Sequence, residues 1–184
     1  KVGKQLVTEE QAPKSEAELD ISLSEIVNLA SKTWKFITDN KAVFNANNFY
    51  ANALPKGKTA FDLSNWKAPV TASYSASWKN LFGMNVGELK YTFSFIPGGQ
   101  LKDSAGHVGR YLDRVTIIPN DVFVAWGYSA NAETSVSAIN NSGTPEAPVA
   151  AATVELNFVF GALNKEALRH SFWCRADGAW SKLN

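Results

Sequence analysis

Apolar and polar residues alternate in several stretches from Val70 onward, and no other pattern in the chain restricts the fold as strongly. Apolar residues alternate with hydroxyl-bearing ones up to Trp78, and with charged or polar ones between Leu89 and Phe95. Because successive side chains of a strand point to opposite faces, this period of two predicts half-buried β-strands. The same reasoning predicts further strands at 111–118, 122–136, 150–160 and 168–175, and a short terminal strand at 180–183.

Turn-forming residues separate these predicted strands. The run Pro97–Gly99 predicts the end of the second strand, and Pro119–Asp121 predicts a direct reversal between the third and the fourth. Gly127 predicts a bulge or bend within the long fourth strand. Short reversals favour antiparallel neighbours, because a parallel pair needs a long crossover connection.

The N-terminal part follows a different period. Apolar residues recur there at spacings of three and four, with polar residues between them, which predicts one amphipathic helix from about Ser15 to Asn40. Two capping-box patterns, Ser15 with Glu18 and Ser22 with Glu25, are alternative signals for its start.

One helix followed by a run of strands predicts an α+β fold. We expect the helix to pack on a curved, mainly antiparallel meander sheet of about six strands. Residues 1–14 are polar and aperiodic, which predicts a flexible N-terminal arm, and residues 15–184 are expected to form a single α+β domain. The stretch 45–58, which contains Pro55 and Gly57, predicts a connecting loop.

Composition excludes several classes of protein. The chain has 184 residues, of which 45% are hydrophobic, and a net charge of +1, so intrinsic disorder and strong electrostatic binding of nucleic acid are both disfavoured. No run of about 18 apolar residues predicts a transmembrane helix. Cys174 is the only cysteine, so an intramolecular disulfide and a cysteine-rich metal site are excluded. We expect no cofactor and no metal.

The chain begins at Lys1 rather than at a methionine, and Ala, Ser, Asn and Thr are abundant in it. Both features favour an exported protein, either periplasmic or secreted.

Few residues suit enzymatic chemistry. Cys174 and His170 lie four residues apart on one predicted strand, about 13 Å, which is too far for proton transfer. No G-x-S-x-G elbow is present. The remaining candidate is a hydrolase site formed by His107 with Asp103 and Asp113.

Large aromatic side chains are the candidates for ligand binding, because they stack against sugars and apolar molecules. Trp173 lies out of phase with the apolar residues beside it, which predicts that it is on the outer face of its strand. The candidate ligand-binding residues are Trp34, Tyr91, Phe93, Trp126 and Trp173.

The leading hypothesis is an exported, non-enzymatic binding or interaction domain. It would hold a small apolar or sugar-like ligand between the helix and the sheet, lined also by Leu23 and Val27, or present an aromatic sheet surface to a protein partner. One alternative is a hydrolase with its site near His107. A second alternative is a membrane-active protein in which the hairpin from Val122 to Phe160 rearranges.

Overall fold

The structure is a computed structural model that describes residues 21–29, 35–39 and 50–184. These residues form ten strands, which are short at the N-terminal end and long from residue 70 onward. They are β1 (Ile26–Val27), β2 (Lys35–Asp39), β3 (Ala51–Pro55), β4 (Val70–Lys79), β5 (Asn85–Lys102), β6 (Val108–Val124), β7 (Ser129–Asn141), β8 (Ala150–Gly161), β9 (Lys165–Arg175) and β10 (Trp180–Lys182). One turn of 3₁₀ helix spans Ala60–Asp62.

The strands form two antiparallel sheets. The front sheet has the order β1-β3-β6-β5-β4, and the back sheet has the order β10-β9-β8-β7-β2. Aromatic rings from both sheets meet in the core: Phe93 of β5 stacks on Phe172 of β9 at 4.7 Å, and Trp78 of β4 stacks on Phe158 of β8 at 4.7 Å. The fold is therefore two packed sheets around one apolar layer.

Alternation places the apolar residues in this layer. On β5, Leu89, Tyr91, Phe93 and Phe95 are fully buried, and the residues between them are more accessible. The inward positions of β8 follow the same rule from Val154 to Phe160. Each sheet thus contributes one apolar face, as a period of two requires.

The predicted N-terminal helix is wrong, and so is the α+β class. Residues 21–29 contain a turn and β1, and residues 35–39 form β2, while the rest of the segment lies outside the described residues. Tertiary contacts satisfy the backbone here: the Tyr111 hydroxyl donates to the Leu23 carbonyl at 2.7 Å, and the Leu29 N–H donates to Asn52 Oδ1 at 2.7 Å. Long-range pairing of β1 with β3 and of β2 with β7 overrides the local helical period. The predicted arm at 1–14 lies outside the described residues.

A single six-stranded meander is also wrong, because the strands divide between two five-stranded sheets. The predicted loop at 45–58 contains β3, whose five residues are all buried between β1 and β6. Long-range pairing sets this position, since Ala51 lies opposite Val115 and Ala53 lies opposite Leu112.

Two predicted strand ends are wrong for a common reason. β5 continues through Pro97, and β6 continues through Pro119. The register between β5 and β6 shifts near both prolines. Each shift leaves extra residues on one strand, and such irregular positions tolerate a proline, which has no N–H to donate. The chain reverses instead after Val124, where Gly127 has a φ of +84°.

Candidate functional site

The predicted catalytic pair Asp103 and His107 lies in the turn between β5 and β6. Asp103 Oδ2 is 2.9 Å from His107 Nδ1, and Asp103 Oδ1 accepts hydrogen bonds from the backbone N–H groups of Ala105 and His107 at 3.0 and 2.8 Å. Partial desolvation raises the pKa of Asp103, but these hydrogen bonds outweigh it and hold the pKa below its ordinary value. The carboxylate therefore organises the turn.

Asp113 is not part of this cluster. It lies opposite Ile96 in the middle of the front sheet, five residues along β6 from Val108, or about 17 Å for an extended strand. The structure brings Asp103 and His107 together and leaves Asp113 apart. Among the described residues, no group of three His, Cys, Asp or Glu side chains is arranged to hold a metal ion.

Cys174 and His170 have separate environments on β9. Cys174 is buried, and burial raises its pKa to about 12, so the thiol is poorly suited to act as a nucleophile. The Nδ1 atom of His170 forms a hydrogen bond with the hydroxyl of Tyr91 on the opposite sheet. Burial, and then the charge of Lys182, lower the pKa of His170.

The predicted ligand-binding residues that the structure describes fall into three environments. Tyr91 and Phe93 are fully buried between the sheets. Trp34 lies outside the described residues, and residues 21–29 and 35–39 supply no helix to form the expected helix–sheet cavity. Trp173 is half-buried on the outer face of β9 between Thr153 and Ser181, with the Arg175 guanidinium 5.8 Å from its ring centroid.

Trp126 is in the third environment, at the tip of the turn between β6 and β7, with 89% of its surface exposed. The Tyr128 N–H donates to the Ala125 carbonyl at 3.1 Å and closes this turn. The left-handed φ at Gly127 is the one that a type II turn requires at its third residue. The turn holds the indole away from the body of the protein.

Strand register places two more turns beside Trp126. The Ala125 N–H donates to the Val86 carbonyl at 2.9 Å, so the β6–β7 turn is next to the start of β5 and hence to the β4–β5 turn. In the back sheet, Ser129 lies opposite Gly161, so the start of β7 is next to the β8–β9 turn. All three turns therefore lie at one end of the two sheets.

Phe160 aligns the two sheets at this end. Its ring stacks on Trp78 of β4 at 5.0 Å and on Tyr128 of the β6–β7 turn at 5.4 Å. It also occupies the space in which a side chain at Gly87 would lie, since a Cβ there would be 2.4 Å from Phe160 Cε2. The bases of the three turns thus meet around one aromatic ring.

Large apolar side chains occupy the tips of all three turns. Leu81 and Leu163 are fully exposed, Phe82 is 87% exposed and Met84 is 60% exposed. We call this set the apolar end: Leu81, Phe82, Met84, Trp126 and Leu163. Soluble proteins rarely expose several large apolar side chains together, and such clusters mark interaction sites.

The β4–β5 turn satisfies its own backbone. Asn80 Oδ1 accepts hydrogen bonds from the N–H groups of Phe82 and Met84, both at 3.0 Å. The Gly83 N–H donates to the Asn80 carbonyl at 2.9 Å, and the Asn80 N–H donates to the Met84 carbonyl at 3.0 Å. The turn therefore presents apolar side chains without exposing these N–H groups unpaired.

The charges near the apolar end lie at the bases of the turns. Residues 80–84, 125–128 and 162–164 contain no charged side chain. Lys79 and Lys165 are exposed at the adjoining strand ends, and Glu166 follows Lys165. The tips are thus uncharged, and cations lie directly behind two of them.

Sequence reasoning found Trp126 but missed Leu81, Phe82, Met84 and Leu163. Three of these four lie in the run Asn80–Asn85, between two strongly alternating strands. Turn residues are usually small or polar, so this apolar run was an available signal. Its proximity to Trp126 and Leu163 depends on long-range register, which a local pattern does not contain.

No helix of the described residues is long and apolar enough to cross a membrane. Comparisons of the chain with protein-family models, with curated proteins and with solved structures find no significant match.

Proposed function

We propose that this domain binds the surface of lipid bilayers through its apolar end. The observation that supports the proposal is the convergence of five exposed large apolar side chains on three adjacent turns. Such side chains gain free energy in the interfacial region of a bilayer, where tryptophan in particular is enriched. The role is again non-enzymatic, but a bilayer replaces the small ligand or protein partner that was expected from the sequence.

The available transfer free energy is sufficient for reversible binding. Burying one large apolar side chain contributes about 1.5 to 3 kcal/mol, so five give an upper estimate of about 8 to 15 kcal/mol before the cost of association. A protein bound in this way would be anchored by side chains and would need no spanning segment.

The exposure of the tips favours a bilayer over a protein partner. Leu81 and Leu163 are fully exposed, and Trp126 and Phe82 nearly so, which means that these side chains stand apart from the rest of the surface. A protein interface requires packed, complementary surfaces on both sides. Lipid chains adapt to separate protrusions, so a bilayer accepts them without matching their shape.

Polar features of the same end support this choice. Satisfied N–H groups in the β4–β5 turn lower the cost of moving that turn out of water. Lys79 and Lys165, behind the tips, would lie at the level of the lipid headgroups and attract anionic ones. The domain is therefore expected to bind anionic vesicles more tightly than zwitterionic ones.

Vesicle co-flotation tests the proposal. The wild-type protein is expected to float with phosphatidylcholine–phosphatidylserine vesicles, and Trp126→Ala is expected to bind about tenfold more weakly. Trp173→Ala is the matched control, because it removes the same side chain from the outer face of the back sheet and should leave binding unchanged. Absence of wild-type binding, or equal binding by Trp126→Ala and the wild type, would reject the proposal.

A dye-release measurement on the same vesicles separates binding from the membrane-active alternative. Docking by the turn tips leaves the bilayer intact, whereas rearrangement of residues 122–160 would release an entrapped dye. Export, expected from the sequence, stays a prediction.

A further inference from the structure

One edge of the front sheet is a single long strand. The other edge strands of the described residues are short, so β7 beyond Glu133 and β9 before Phe172 are also unpaired on one side. β1 at the opposite edge has two residues, and the edges of the back sheet, β10 and β2, have three and five. β4 has ten residues and, within the part of the chain that the structure describes, pairs with β5 alone. Proteins usually keep edge strands short or charged, because a long free edge pairs with other strands.

β4 also lacks the residues that protect an edge. Between Val70 and Trp78 it contains no charged residue and no proline. Its outward residues, Thr71, Ser73, Ser75 and Ser77, are exposed, and its inward residues are only half-buried. Lys182 of β10 lies 5.9 Å from the Tyr74 ring, on the core side of the sheet. The edge is therefore long, uncharged and incompletely covered.

We propose that β4 pairs with β4 of a second copy of this chain, antiparallel and centred on Ser75. A two-fold axis perpendicular to the front sheet would then extend that sheet across both copies. A second copy is the expected partner of this edge because β4 is complementary to itself in the antiparallel register.

The register centred on Ser75 places large side chains opposite small ones. On the core face, Tyr74 would lie opposite Ala76 of the second copy, and Trp78 opposite Ala72. On the outer face, Ser73 would lie opposite Ser77, which permits hydrogen bonds between hydroxyl groups across the strands.

Charge does not oppose this pairing. Lys79, the single charged residue of β4, would lie opposite Thr71 of the second copy, so no like charges meet across the axis. The pairing also points the two apolar ends in opposite directions. Self-association and lipid binding are therefore separate properties that separate variants can test.

Sedimentation equilibrium with charge-swap variants tests the dimer. Wild-type protein is expected to dimerise, and Ser75→Lys and Ser75→Glu are each expected to weaken dimerisation by about fivefold to tenfold, because like charges would meet at the axis. An equimolar mixture of the two variants should recover the dimer as a heterodimer. Ser135→Lys makes the same charge change on β7 of the back sheet, away from β4, and should dimerise like the wild type.

Lys90 lies opposite Ser75 on β5, so the urea midpoint of each variant is measured alongside to confirm that it folds. A wild-type protein that stays monomeric throughout the concentration series would overturn the proposal, as would a dimer that neither Ser75 variant weakens. Slow hydrogen exchange, in a monomer, of the β4 amides that point away from β5 would identify another segment of this chain as the occupant of the edge.

Discussion

The rings of Trp78 and Phe160 stack across the two sheets, with their centroids 5.0 Å apart and their planes inclined by 25°. Trp78 is one residue from the end of β4, and Phe160 is one residue from the end of β8. The pair therefore fixes the ends of the front and back sheets relative to each other. Because the apolar turns begin directly beyond these ends, one aromatic contact in the core determines where the exposed tips lie.

Phe160→Ala is expected to destabilise the fold by about 3 to 5 kcal/mol, since the side chain is buried and its loss would leave a cavity between the sheets. Urea unfolding followed by tryptophan fluorescence measures the change. Val159→Ala, on the outer face of the same strand, is the control and should cost less than about 1 kcal/mol. Similar costs for the two variants would show that Phe160 has no special place in the core.

The alternation of residues predicted the last two long strands well, whereas the strand expected at 122–136 is divided by the turn between β6 and β7. The strands expected at 150–160 and 168–175 are found as Ala150–Gly161 and Lys165–Arg175. Alternation succeeds there because half-burial of a strand is the physical cause of the pattern. The helical period used before residue 40 gave a wrong prediction, because the short strands there are held by distant partners, as the hydrogen bond from Tyr111 to Leu23 illustrates.

The candidate site was less accessible to sequence reasoning. Trp126 was expected to bind a ligand, but its neighbours at the apolar end come from turns about 40 residues away on either side. Strand register and the packing of Phe160 bring these turns together, and neither is encoded by a local period. The contact between Asp103 and His107 could be predicted from the sequence because they are only four residues apart in the chain.

Gly87→Ala and Gly83→Ala separate steric from conformational strain. A Cβ at Gly87 would overlap the buried ring of Phe160, so we expect a loss of about 1 to 3 kcal/mol from overpacking. A Cβ at Gly83 would meet open space, but its φ of +77° costs about 1 kcal/mol for alanine. Thermal unfolding of both variants measures the difference, and a larger loss at Gly83 would contradict the packing described around Phe160.

The hydrogen-bonded pair of buried Tyr91 and half-buried His170 predicts a dependence of stability on pH. Burial and the charge of Lys182 lower the pKa of His170 in the folded protein, so the unfolded chain binds a proton more readily. The free energy of unfolding should therefore fall as the pH drops through the ordinary histidine value of 6.5. Asp177, whose hydrogen bond from Arg175 lowers its pKa to about 2, titrates well below this window.

His170→Gln tests this origin, because glutamine retains a hydrogen-bond acceptor for Tyr91 and does not titrate. Urea midpoints measured between about pH 7.5 and pH 5 should decrease less for this variant than for the wild type. An equal decrease in both proteins would assign the pH dependence to other groups.

Substitutions at Asp103 and His107 distinguish a turn-forming carboxylate from a catalytic dyad. Asp103→Ala removes the acceptor for two backbone N–H groups, so we expect a lower melting temperature and faster hydrogen exchange at Ala105 and His107. Asp103→Asn retains an oxygen at Oδ1 and should largely preserve both properties. His107→Ala should lower the melting temperature less than Asp103→Ala, because the exposed ring satisfies no backbone group. If His107→Ala were the more destabilising variant, the ring rather than the carboxylate would be the group that holds this turn.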